Sequence, residues 1–84
     1  MTSTESGMSL LDGMQLSGMT FSELWLRYIA VSGTVGELEL EAYVLGLLLP
    51  DAYQHNLIAQ ALNEYFLEQG QDHPVAYRDT ATVD

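Results

Sequence analysis

The chain has no cysteine and no lysine, and its only basic side chains are Arg27 and Arg78. Without cysteine there is no disulfide staple and no thiolate metal site. Two basic groups against twelve carboxylates leave a net charge of -10. Such a charge repels nucleic acid and anionic membrane and attracts basic protein surfaces. Long apolar runs are also missing. The longest, Tyr43 to Leu49, falls far short of the roughly 20 residues that a membrane span needs. Met1-Thr2-Ser3-Thr4-Glu5 carries neither the basic nor the apolar stretch of a secretory signal. No direct nucleic-acid binding and no membrane binding are expected, and a cytoplasmic location is.

What is present is nonetheless 48% hydrophobic, so the chain is not a simple acidic tail. Its 84 residues make one domain, organised in three stretches. Residues 1–18 hold Met8, Leu10, Leu11, Met14 and Leu16 among small polar residues, broken by Gly7, Gly13 and Gly18, with Met19 directly after. Methionine adapts to irregular surfaces, and Asp12-Gly13 is a turn signal. The stretch reads as a flexible or docking N-terminal arm. Residues 19–70 carry helical periodicity, and residues 71–84 read as an extended tail, disordered at its end beyond Asp79. A core of some fifty residues supplies only about 3–5 kcal/mol, so oligomerisation or a partner is the expected route to stability.

Three helices are predicted. The first opens with a capping box, Thr20 and Glu23. It presents Phe21, Leu24, Trp25, Tyr28 and Ile29 on one face and ends at Ser32-Gly33. The second opens with a similar pair, Thr34 and Glu37, and runs to Leu49. It carries two apolar stripes, Val35-Leu38-Ala42-Leu45-Leu49 and Leu40-Val44-Leu47-Leu48. A helix apolar on two sides has to be covered on two sides, and so short a chain covers the second only in part. The third follows Leu49-Pro50 with proline at its first position. Its apolar face is Tyr53, Leu57, Ile58, Ala61, Leu62, Tyr65 and Phe66, with Gln54, His55, Gln60, Asn63, Glu64 and Glu68 outside and Gly70 after it. His73-Pro74-Val75-Ala76-Tyr77 favours an extended course.

Constellations that carry chemistry are sparse. Glu37, Glu39 and Glu41 do not converge on a helix, because residues two apart point roughly 200° from each other. No histidine stands in the Glu-x-x-His spacing of a carboxylate-bridged metal pair. His55 and His73 have no acid spaced to orient them, no serine sits in Gly-x-Ser-x-Gly, and Gly33 and Gly36 lack the lysine of a phosphate loop. No metal, no cofactor and no enzymatic activity are expected. A small acidic helical chain resembles an acyl carrier protein in composition. That family's central helix opens with Gly-x-Asp-Ser-Leu, however, and here the opening is Gly33-Thr34-Val35-Gly36-Glu37, without the serine that bears the prosthetic group. Three helices with a short second turn resemble helix-turn-helix DNA binders. Here the reading helix would meet phosphates with Asp51, Glu64 and Glu68 and no basic residue.

The expectation is an all-α protein, a small three-helix bundle with an N-terminal Met-rich arm and an extended C-terminal tail. Its expected role is that of a small acidic, non-enzymatic regulatory or adaptor protein, forming a homodimer and engaging a larger basic protein. The alternative is a nucleic-acid-mimicking inhibitor that blocks a DNA- or RNA-binding protein, which needs carboxylates spread at phosphate-like intervals along one face. The aromatic supply exceeds what three helices enclose, so part of it belongs at an interface. The interface candidates are Leu40, Tyr43, Leu47, Leu48, Tyr53, Met14 and Met19.

Overall fold

The structure, a computed structural model, describes residues 7–78. The first six residues of the expected arm and the expected disorder beyond Asp79 lie outside the described residues. Among the described residues four helices are present where three were expected: α1 (Leu10–Ser17), α2 (Phe21–Ala30), α3 (Glu37–Leu45) and α4 (Ala52–Glu68). The long α4 packs against α1 and α2, and α3 packs against the same two helices. Leu10, Met14, Leu24, Tyr28, Leu40, Val44, Ile58, Ala61, Leu62 and Phe66 meet in one core. Among the described residues no helix is long and apolar enough to cross a membrane.

The additional helix lies in the segment read as an arm. Ser9 caps α1, accepting from the Asp12 N–H at 3.0 Å, and Gly18 ends it at φ 73°. Gly13, which reads as a turn residue, sits inside the helix because space is short there. A Cβ on it would lie 2.6 Å from Val75 Cγ2. Glycine in a helix interior costs roughly 0.5–1 kcal/mol relative to alanine, and at this position it makes room for the valine.

α2 opens with the expected capping box. The Thr20 Oγ1 accepts from the Glu23 N–H, and the Glu23 carboxylate accepts from the Thr20 N–H at 2.8 Å. Its end differs from expectation: Ser32, not Gly33, takes the left-handed conformation, at φ 80°. Gly33 serves sterically instead, since a side chain there would run into the Tyr28 ring. Tyr28 is fully buried. Its hydroxyl donates to Gln54 Oε1 at 2.6 Å and accepts from the Thr34 and Val35 N–H groups, each at 3.1 Å. One phenol thus ties α2 and α4 to the α2–α3 connection. The Trp25 indole, expected on the buried face, is only part-buried and donates to the Val35 carbonyl at 3.0 Å.

α3 is shorter than expected at both ends. Thr34 is bound through its backbone to Tyr28, so Gly36 becomes the N-cap without a side-chain bond, and Glu37 instead accepts from the Ser22 hydroxyl at 2.7 Å. Gly46, at φ 82°, stops the helix, with the Leu47 N–H returning to the Ala42 carbonyl. α4 begins at Ala52, two residues later than expected from Pro50. Asp51 is its N-cap, accepting from the Gln54 N–H at 2.8 Å.

Beyond α4 the chain passes through Gly70 and His73, both at positive φ, and crosses the bundle extended. Met8 and Val75 form a parallel bridge, with the Met8 N–H on the Pro74 carbonyl at 2.9 Å and the Ala76 N–H on the Met8 carbonyl at 3.0 Å. On the other flank Asn63 donates to the Val75 carbonyl at 3.0 Å and accepts from its N–H at 2.8 Å. Asn56 treats Arg78 in the same way, at 2.9 and 2.7 Å. Asn63, expected on the outer face of the helix, is therefore buried; its amide replaces the neighbouring strand that the extended segment lacks.

Candidate functional site

α3 is apolar on two sides, and the fold covers one of them. Leu40 and Val44, one turn apart, face the core. The opposite stripe of Leu38, Ala42 and Leu45 recurs at four- and three-residue spacing and so shares a face. Leu38 on that face is 80% exposed. Gly46 then breaks the helix, and Pro50 holds the preceding residue away from helical geometry. Three consecutive leucines are left on an irregular connection: Leu47 is 75% exposed, Leu48 47% and Leu49 90%, with Tyr53 on the first turn of α4 also exposed. Scattered single leucines on a surface are ordinary, whereas a contiguous group marks an interaction site.

The border of this surface is acidic on one side and cationic on the other. The Tyr43 hydroxyl donates to Glu39 at 3.1 Å. That hydrogen bond is the main cause holding the phenol above its ordinary pKa, and the Asp51 carboxylate acts in the same direction. Leu45, Leu48 and Leu49 also line a hollow shared with His55 and Arg78. There the Arg78 guanidinium donates to the Pro50 carbonyl at 2.8 Å. His55 Nε2 lies 3.0 Å from the Ala76 carbonyl, and because a carbonyl only accepts, that nitrogen carries the proton.

The sequence-derived candidates divide into two groups. Leu47, Leu48 and Tyr53 lie on the exposed surface, and Tyr43 stands half-buried at its edge. Leu40 and Met14 do not belong there: both are buried in the chain's own core, Leu40 completely. Met19 is part-buried and lines a separate hollow with Leu26, Arg27 and Tyr65. There Arg27 makes a two-pronged bridge to Glu68, at 2.9 and 3.0 Å, with its guanidinium carbon 5.6 Å from the Tyr65 ring centroid. Leu38, Leu45 and Leu49 are the surface residues that the sequence reading passed over. Their stripe is visible in the sequence, but it is as apolar as the one whose Leu40 and Val44 became buried, and only the placement of α1 and α2 decides between them.

Carboxylates are spread over all four helices, and several already have partners within the fold: Glu23 in a cap, Glu37 on Ser22, Glu39 on Tyr43, Asp51 in a cap and Glu68 on Arg27. Among the described residues no three His, Asp or Glu side chains converge in a way that could hold a metal ion. Compared with protein-family models, curated proteins and solved structures, the chain matches none.

Proposed function

We propose that this protein is a small non-enzymatic regulatory or adaptor protein that binds a larger, basic protein through the surface of Leu38, Leu45, Leu47, Leu48, Leu49 and Tyr53, and that it self-associates to a homodimer over the outer stripe of α3. One observation carries the reading: a run of exposed leucines flanks the Gly46 break, beside the carboxylates of Glu39 and Asp51. Apolar area supplies affinity, and the surrounding negative field selects and steers a cationic partner. A net charge of -10 extends that field over roughly a Debye length, about 8 Å at physiological salt.

The nucleic-acid-mimic alternative draws less support, since the carboxylates are spread over every helix and many are engaged within the fold. A salt series with the isolated partner separates the two readings. An adaptor associates more slowly as salt rises while its dissociation changes little. A mimic loses binding altogether, and nucleic acid competes for its site. An association rate indifferent to salt would remove the basic partner from the proposal.

A further inference from the structure

We propose that the groove between Met8, α1 and α4 is a recognition site for an extended peptide segment of the basic partner, and that residues 74–78 fill it in the free protein as a built-in stand-in that the partner displaces. The inference deepens the adaptor reading and rests on it. It adds a second contact and specifies the chemistry of what binds.

The groove reads backbone at two points. Asn63 and Asn56 each exchange a donor and an acceptor with one residue of the segment, Val75 and Arg78 respectively. Seven helical residues rise roughly 10.5 Å, and three extended residues span about 10 Å, so the two amides are spaced to read positions i and i+3 of any extended chain. Met8 closes the opposite flank with two further backbone bonds. None of these contacts depends on the identity of the bound side chains.

Selectivity comes from two places. Gly13 leaves a socket floored by Leu62, in which Val75 Cγ2 stands where a glycine-to-alanine change would put a Cβ. The socket therefore takes a compact β-branched residue. Three positions on, the Arg78 guanidinium reaches the Pro50 carbonyl, at the hollow that Leu48 and Leu49 line. A segment following this path ends beside the leucine surface. The preferred ligand is thus an extended Val-x-x-Arg segment, whose cation suits the negative charge of the molecule.

The internal occupant is built to come out. Of residues 71–78 only Val75 is buried. The hinge places His73 at φ 51° immediately before Pro74, a left-handed conformation in a position where the following proline favours extended backbone. Release relaxes that residue.

The probe is a capped peptide of residues 71–78, titrated into the full-length, isotope-labelled protein. Saturable shifts of the Asn56 and Asn63 side-chain amides and of the Gly13 amide are expected, and these are absent when the peptide's valine is replaced by aspartate. Val75→Ala in the protein weakens the internal occupant, so the probe should bind roughly tenfold more tightly as the open fraction grows. Equal affinity for the two proteins, or no shift at those three positions at millimolar probe, overturns the proposal.

Gly13→Ala gives an independent test. It should strip hydrogen-exchange protection from Ala76 and Arg78, leave Leu62 and Phe66 protected, and abolish probe binding. Exchange of Ala76 and Arg78 in step with Leu62 and Phe66 in the unaltered protein would mean that the segment opens only on global unfolding, which overturns the proposal. Transfer of the segment between labelled and unlabelled copies would make a second copy the occupant and would equally overturn it. A silent probe beside a basic partner that still binds through the leucines would remove this inference alone and leave the adaptor reading standing.

Discussion

Replacing the Tyr28 hydroxyl by hydrogen would strand the Thr34 and Val35 N–H groups and the Gln54 carbonyl together. Tyr28→Phe should cost about 1–3 kcal/mol, read as a lower urea midpoint with an unchanged denaturant slope. Trp25→Ala should cost less than the about 3–5 kcal/mol of a fully buried aromatic, because the indole is only part-buried. The Glu68 carboxyl is held below its ordinary pKa, chiefly by its hydrogen bond from Arg27 and then by the Arg27 charge. A depressed carboxylate contributes stability above its unfolded value, about 4.3, and loses it as pH falls through the folded value. Glu68→Gln should therefore be less stable than the parent at neutral pH and equal to it in strong acid, which acid titrations of both proteins followed by circular dichroism would show. Helical spacing made the roles of Leu24, Tyr28, Ile58, Leu62 and Phe66 legible in the sequence. It could not reveal Asn63, whose polar side chain reads as surface on a helix and is buried because Val75, twelve residues on, brings its backbone to it.

Among the helices, α3 has the weakest start: Gly36 is its N-cap, at φ -75°, with open space where a side chain would go. Gly36→Ser should add a side-chain cap worth a few tenths of a kcal/mol, visible as a small rise in melting temperature. The all-helical class was legible because a capping box and 3.6-residue spacing agree over α2 and the same spacing runs the length of α4. α1 was not legible, since Gly7, Gly13 and Gly18 cluster in the way turn residues do. The glycine inside it answers to Val75, far away in sequence. The end of α3 was misplaced for a related reason. Apolar spacing continues through Leu47, Leu48 and Leu49, yet a left-handed glycine with its returning hydrogen bond closes the helix whatever pattern follows. Of the candidate site, the leucines and Tyr53 were readable as surplus hydrophobicity. Which stripe of α3 is surplus is a tertiary decision, and Leu40 fell on the wrong side of it.

For the molecule as a whole, the proposed homodimer predicts that Leu38→Glu combined with Leu45→Glu, on the outer stripe of α3, lowers the sedimenting mass to 9.3 kDa without lowering thermal stability, since both side chains are exposed. Leu40→Glu instead should unfold the chain, because it places a charge in the core. Sedimentation at 9.3 kDa for the parent at high concentration would remove the dimer. The Met8–Val75 bridge also sets a clock on how the protein is made. At the roughly 5–20 residues per second of synthesis, residue 75 is added about 3–13 s after residue 8. The socket over Gly13 is floored only once Leu62 of α4 has been added, so it stands built and unfilled for only about the last 1–3 s of that interval, and the chain's own valine follows almost as soon as there is a place for it.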